Sequence, residues 1–317
     1  MRRLFWVCVF GSAVAFGQAQ HPIPEEKMPA VPAIPGVVAA GSPMKLIWVT
    51  NDGADGIVGT ADGSLLIASR KANAVIKVDS KDKASVYLDD TNEGGSLAID
   101  FKGRVVAVER GNPQRVRILT SPRQVLNQGL DGKPLVGLRD LAVDKKNGVY
   151  FTDGEGRTST VYYVKPDGKT TIKVIEDLAG ANGVILSPDE KTMYIADTPN
   201  EYLLAYDVRP DGTVTNRRNF ARLDGPKHNG ADGLAIDGEG RLYVATPIGV
   251  QVFSSKGDYL GNIPTPRGTT SLGFAGPDKR TLYIVGRGHA GSDGKGDQSR
   301  SLYKIVMLGQ GFKGRPK

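Results

Sequence analysis

A hairpin that recurs six times is the feature that most limits how this chain can fold. In the copy at residues 231–246, ADGLAIDGEGRLYVAT, a polar opening leads into a short apolar strand, a turn rich in Asp and Gly, and a second apolar strand. Five further copies have the same order of parts and lie at 54–69, 94–109, 139–153, 181–198 and 270–285. Equivalent positions in successive copies are 40 to 49 residues apart, a period that suits one four-stranded propeller blade per copy. The sequence therefore predicts an all-β fold, a six-bladed β-propeller.

An apolar stretch before the first copy supplies the strand that the last copy lacks. The sixth blade runs out of sequence after Phe312, whereas Lys45–Thr50 precedes the first hairpin and has no partner of its own. Pairing the two would remove two open sheet edges, which are otherwise sites of aggregation. We therefore expect the N-terminal strand to close the last blade.

The pattern divides the chain into four segments. They are a signal peptide at 1–19, a Pro-rich tether at 20–43, the propeller domain at 44–312 and a basic tail at 313–317. The second segment carries six prolines with little apolar periodicity, so we expect it to be mobile until it joins the propeller.

The N-terminus has the parts of a secretory signal peptide. Arg2 and Arg3 precede an apolar stretch, Leu4–Phe16, which is followed by small residues up to Ala19. The apolar stretch is shorter than the roughly 20 residues of a membrane span. We expect cleavage after Ala19, a secreted or periplasmic protein, and no stable membrane span; the alternative is an uncleaved N-terminal anchor. Cys8 would leave with the signal peptide, so the mature chain would have no thiol.

The charge of the chain gives no sign of a nucleic-acid partner. Lys and Arg number 41 against 34 Asp and Glu, a formal net charge of +7, but the excess is scattered and forms no basic run with interleaved aromatic residues. We interpret it as a solubility feature and expect a monomer that acts on a small molecule.

Polar residues at the start of each repeat are expected to meet on the propeller axis. The innermost strands of all blades run the same way along the central channel, so equivalent positions form a ring. The ring consists of Asp55, Gly95, Arg139, Asn182, Asp232 and Ser271, with Asp140 directly after Arg139. Carboxylates gathered there would repel one another unless a hard divalent cation, most suitably Ca²⁺, were bound by their oxygens. The alternative is that the Asp-Gly and Asn-Gly pairs only shape turns.

Loops on the same face add candidate substrate-binding residues. Glu109 begins the loop after the second strand of blade two, His228 lies before blade five, and His289 lies in the Gly-rich loop 286–299. Each histidine could equally be a solvated loop residue. The Gly-rich loop lacks the setting and the Gly-Lys-Ser/Thr ending of a phosphate-binding loop, so we interpret it as a mobile rim or lid.

Several motifs resemble the gluconolactonase and senescence-marker-protein (regucalcin) family. They are ANGVILSPDEKTMYIADT, ADGLAIDGEGRLYVAT, RDLAVDKKNGVYFTD and FAGPDKRTLYIV. The resemblance covers roughly residues 45–305 and implies a six-bladed propeller with one catalytic divalent ion, usually calcium, that hydrolyses sugar lactones. The metal-binding Asn and Asp of the family fall on Asn182 and Asp232, and its first-blade Glu falls on Asp55. The Asn-Asp pair of its third blade is replaced here by Arg139 and Asp140.

The leading hypothesis is a secreted, calcium-dependent lactone or ester hydrolase. Asp55, Asp140, Asn182 and Asp232 would hold the ion, Asp232 would also act as the general base, and Arg139 would orient the substrate or stabilise the developing oxyanion. Arg139 could instead pair with Asp140 or Asp55, and in the metal position it would exclude the ion. No Gly-x-Ser-x-Gly motif indicates a serine hydrolase. The alternatives are an NHL-type propeller that binds a glycan or protein without catalysis, and a quinone-dependent sugar oxidase on the same scaffold.

Overall fold

The structure is a computed structural model, and it describes residues 23–155, 158–225, 230–290 and 298–314. The predicted signal peptide at 1–19 lies outside the described residues, as do the last three residues of the predicted tail. No helix in the described part of the chain has the length and hydrophobicity that crossing a bilayer requires.

Six antiparallel four-stranded sheets make up the fold, which confirms the predicted six-bladed propeller. In chain order the strands are β1 Lys45–Thr50, β2 Ala54–Gly59, β3 Leu65–Ser69, β4 Ala74–Val78, β5 Ala84–Asp89, β6 Gly94–Ile99, β7 Val105–Glu109, β8 Arg115–Ile118, β9 Gln124–Asn127, β10 Gly129–Leu130, β11 Lys133–Pro134, β12 Leu141–Val143, β13 Val149–Glu155, β14 Thr158–Val164, β15 Thr171–Leu178, β16 Ala181–Leu186, β17 Thr192–Asp197, β18 Tyr202–Val208, β19 Val214–Arg222, β20 Leu234–Ile236, β21 Leu242–Thr246, β22 Gly249–Phe253, β23 Tyr259–Ile263, β24 Thr269–Ala275, β25 Thr281–Arg287 and β26 Arg300–Val306. Each of the first five blades uses four strands in sequence, and β10 and β11 form a small extra hairpin.

The last blade closes as the sequence predicts. Its strands are ordered β1, β26, β25, β24, so that the N-terminal strand is the outermost. β1 pairs antiparallel with β26, from Lys45 opposite Lys304 to Thr50 opposite Arg300. Strands from the two ends of the chain therefore share one sheet, and the ring of blades is closed.

The core lies between neighbouring blades. Every residue of β3 and of β21 is buried, whereas most residues of β5, an outer strand, are exposed. One apolar cluster illustrates the packing, because Val58 and Leu66 of the first blade contact Leu97 and Ala107 of the second. Apolar side chains on both faces of such a strand leave it no solvated face, so these strands are buried between the neighbouring blades.

The segment predicted to be a mobile tether is packed over its described part. Val31, Ile34 and Val37 are buried and belong to the same apolar cluster as Tyr243 and Phe274 of blades five and six. An isolated β-bridge also joins Ile34 to Val38. These apolar residues pack the segment against the propeller, whereas its prolines and weak periodicity had indicated a tether.

An ion pair fastens the same segment. Glu26 accepts a hydrogen bond from Arg267 at 2.8 Å and another from the Tyr303 hydroxyl at 2.7 Å. Residues 26–38 therefore act as a strap across the outer part of blades five and six.

Truncating Ile34 should measure how much this strap stabilises the fold. Ile34 is 2% exposed, so Ile34→Ala is expected to lower the free energy of unfolding by about 2–5 kcal/mol through lost burial and a cavity. Ile23 is 53% exposed, and Ile23→Ala in the same segment should change it by less than about 0.5 kcal/mol. Urea denaturation of both variants checks this; equal, small losses would mean that the segment does not pack in solution.

Candidate active site

The starts of the inner strands surround a central cavity of about 750 Å³. Asp55 lies in β2 and Asn182 in β16, while Arg139 and Asp232 lie just before β12 and β20. All four side chains belong to residues that line this cavity. The structure thus brings together residues that are far apart in sequence but equivalent in the repeat.

A glycine follows three of these residues because the neighbouring blade comes very close. A Cβ on Gly56 would lie 2.3 Å from the Cα of Ser96, one on Gly183 would lie 2.3 Å from the carbonyl oxygen of Asp232, and one on Gly233 would lie 3.0 Å from the backbone of the sixth blade. None of the three glycines has a positive φ. The Asp-Gly and Asn-Gly pairs are therefore required by strand packing on the axis, not by turn formation.

Asp232 is held in an environment that disfavours its charge. Burial, followed by the negative charge of Asp55, raises its pKa to about 7, although Arg287 and Arg110 act in the opposite direction. Its Oδ2 atom accepts a hydrogen bond from Arg287 at 3.1 Å. The two carboxylates are therefore close enough to repel, and the arginines compensate them only in part.

Arg110 is a site residue that sequence reasoning missed. Its guanidinium lies over Gly95, where an added Cβ would come within 2.7 Å of the Arg110 Nε. It is 2.5 Å from Asp55 Oδ2, and it donates to the carbonyl oxygen of Arg139 at 2.9 Å. The glycine at the ring position of blade two is thus the signal that another side chain occupies that place. Arg287, at the end of β25, was also missed. It reaches the axis from a second strand, whereas the prediction considered only the inner strands.

Arg139 lines the cavity without an ion-pair partner among the described residues. Its backbone N–H donates to the carbonyl oxygen of Thr152 at 3.0 Å, and the residue is exposed at the cavity wall. Its guanidinium has no hydrogen bond or ion pair with any residue that the structure describes, so it pairs with neither Asp140 nor Asp55. It is available to a ligand.

Asp140 has a different place from the one expected for a metal ligand. It is buried and is not among the residues that line the cavity. Its Oδ2 atom accepts the Val184 N–H at 3.0 Å, and its Oδ1 atom accepts the Ser96 hydroxyl. Its carboxylate joins the inner strands of blades two, three and four.

Two of the predicted substrate-binding residues from the loops, Glu109 and His289, do not lie at the cavity wall. Glu109 is fully buried, pairs with Arg115 and lies 2.8 Å from a guanidinium nitrogen of Arg117; burial raises its pKa, and the two arginines oppose that rise. His289 has its Nε2 3.0 Å from Asn51 Oδ1 and is absent from the cavity lining. His228 lies outside the described residues, as do residues 291–297 of the Gly-rich loop.

The donor set at the axis fits a hard divalent cation. No group of three His, Cys, Asp or Glu side chains suited to a metal occurs in the described ranges, so an ion here would need amide, hydroxyl or water oxygens besides carboxylates. Asp55 and Asp232 supply two carboxylates, and Asn182 supplies an amide oxygen. The arginines bond to the Oδ2 atom of each carboxylate, and no described residue donates a hydrogen bond to either Oδ1 atom. Oxygen donors that include repelling carboxylates are what calcium prefers.

Known proteins with similar sequences or structures include lactonases. The family model described as SMP-30/Gluconolactonase/LRE-like region matches residues 52–287. The lactonase drp35 of Staphylococcus saprophyticus is 30% identical over 263 residues, which cover 77% of this chain and 78% of that protein. A gluconolactonase of Xanthomonas campestris is 25% identical, with a TM-score of 0.74 over 92% of this chain and 99% of the other. A calcium-binding protein, regucalcin, of Agrobacterium tumefaciens shares the fold with a TM-score of 0.67 at 17% identity, over 85% of this chain and 96% of the other.

The matched region, residues 52–287, runs from the first blade into β25 of the sixth and contains every ring residue. A model that matches so much of the chain agrees with the six-bladed fold. The chain belongs to the SMP-30/gluconolactonase/LRE-like family.

Proposed function

We propose that this protein is a hydrolase that opens a sugar lactone or a related cyclic ester with the help of one bound divalent cation, and that the ion is calcium. The observation that carries the proposal is the convergence of Asp55, Asn182 and Asp232 on one cavity. Family membership and the lactonase relatives support the reaction class. We also propose that the chain is exported and loses residues 1–19.

Three residues would hold the ion, two through a carboxylate and one through an amide oxygen. Asp55 and Asp232 carry the negative charge that a dication neutralises, and Asn182 adds a neutral oxygen. When bound, the ion would act as a Lewis acid toward the lactone carbonyl oxygen and would increase the acidity of the attacking water. Asp140 is left out of this set because both of its oxygens accept hydrogen bonds elsewhere.

Asp232 and Arg139 would carry the remaining chemistry. Asp232 accepts a proton from the water that attacks the carbonyl carbon, and it returns this proton to the ring oxygen as the acyl C–O bond breaks, so that the product is a hydroxy acid. Arg139 faces the same cavity and its guanidinium has no protein partner among the described residues, so it is placed to orient the substrate. Arg287 holds the Asp232 carboxylate through Oδ2 and restricts its rotation.

Acid release from a panel of lactones tests this function. With the purified chain in calcium-containing buffer, we expect turnover of at least one five- or six-membered sugar lactone, followed by a pH indicator. A heat-denatured sample corrects for spontaneous ring opening. If no lactone in the panel is hydrolysed faster than this background, the catalytic proposal is wrong and a binding propeller becomes the better interpretation.

A further inference from the structure

The central cavity carries more positive than negative charge. Five arginines line it against two aspartates, Asp55 and Asp232. The arginines come from four blades, with two of them in the sixth, and are Arg70, Arg110, Arg139, Arg287 and Arg300. A neutral sugar lactone gives no reason for this excess. The cavity therefore has a charge that a substrate could complement.

Most of the arginines already have protein partners. Arg110 pairs with Asp55, and Arg287 pairs with Asp232. Arg70 pairs with Glu93 at 3.1 Å, and Arg300 donates to the carbonyl oxygen of Ser299 at 2.7 Å. These contacts hold four guanidinium groups around the cavity.

Arg139 is the exception. It lines the cavity at a ring position, yet its guanidinium has no partner among the described residues, because both carboxylates of the ring are taken by other arginines. The nearby Arg110 adds a second positive charge, since its guanidinium donates to the backbone carbonyl of Arg139. A guanidinium in this position favours a planar anion, which it can bind through two parallel hydrogen bonds.

We propose that the substrate is an anionic lactone, a ring that carries a carboxylate or phosphate group besides the ester, and that Arg139 binds this group. The part of the inference that concerns the lactone ring rests on the proposed hydrolysis. The binding of an anionic group by Arg139 does not. A cavity of about 750 Å³ has room for a sugar ring with such a substituent.

Binding of ring-opened acids tests the proposal without turnover. Calorimetry on the chelator-treated protein would compare D-gluconate, which has one anionic group, with D-glucarate and 6-phospho-D-gluconate, which have a second. We expect at least one of the latter two to bind about tenfold more tightly than D-gluconate at low salt, and this advantage to shrink as NaCl is added. The tighter of the two identifies whether the second group is a carboxylate or a phosphate.

Variants assign the effect to one side chain. Arg139→Gln should remove the tenfold advantage, and Arg139→Lys should restore part of it. Arg209→Gln, in the exposed turn between β18 and β19 and outside the central cavity, is the control and should keep the full advantage. Because Arg139 is exposed and unpaired, its replacement should leave the thermal unfolding temperature unchanged.

Two results would overturn the proposal. They are equal affinities for all three acids, and an advantage that persists in Arg139→Gln. Tight binding of a second anionic group by a protein that hydrolyses no lactone would support the anion site and contradict the proposed hydrolase, so that the two failures are distinguishable.

Discussion

Asp232→Asn is expected to lower kcat for lactone opening by about 10²–10⁴-fold, the range associated with loss of a positioned general base. The amide cannot take the proton of the attacking water, and it also replaces a charged ligand of the ion with a neutral one. Acid release under saturating lactone measures this loss. Asp211→Asn, in an exposed turn far from the axis, is a matched change of the same chemistry and should keep full activity.

The same variant should not unfold more easily. Burial and the charge of Asp55 raise the pKa of Asp232 to about 7, so its ionised form is unfavourable in the folded, chelator-treated protein. A raised pKa means that the folded state binds this proton more tightly, so the stabilisation is present at low pH and is lost as the pH rises through about 7. At pH 8, Asp232→Asn should therefore be at least as stable to urea as the parent. Full activity in the variant, or loss of activity that only follows unfolding, would contradict the assigned role.

The architecture could be predicted from the sequence because the fold is repetitive. Six copies of one hairpin fix the number of blades, and the unpaired Lys45–Thr50 strand identifies how the ring closes. The strap at 26–38 could not be recognised by the same means. It belongs to no repeat, and its few buried residues, such as Ile34, gain their partners only when distant blades come together.

Part of the site was predictable for the same reason. Asp55, Asn182 and Asp232 hold one repeat position, so a prediction of symmetry is enough to bring them to the axis. Arg110 and Arg287 lie at the ends of second strands, and the Arg110 side chain occupies space that Gly95 leaves open. Their roles depend on contacts between blades, which the repeat pattern alone does not contain.

The sequence also could not show the direction in which individual side chains point. Asp140 was expected among the metal ligands, but its carboxylate accepts hydrogen bonds from Ser96 and Val184 of the two neighbouring blades and does not line the cavity. Glu109 ends a strand at the cavity side of the blade, yet its carboxylate turns inward to Arg115 and Arg117. The position of a residue in the repeat identifies the end of the propeller at which the residue lies. It does not identify the direction in which the side chain points.

Removal of the divalent ion is the second change with a large expected effect. In excess chelator, lactone hydrolysis should fall by at least about 100-fold, because the charge stabilisation that the ion supplies amounts to several kcal/mol. Added calcium should restore it. The cavity itself should persist without the ion, since Arg110 and Arg287 remain to pair with Asp55 and Asp232.

Calorimetric titration of calcium into the chelator-freed protein tests the shared ion most directly. We expect one ion per chain, with an affinity reduced at least tenfold in Asp232→Asn and in Asn182→Ala and unchanged in Asn216→Ala, an exposed position outside the cavity. An absence of calcium binding, together with lactone hydrolysis that continues undiminished in chelator, would contradict the account. The positive charge at the axis would then come from the arginines alone.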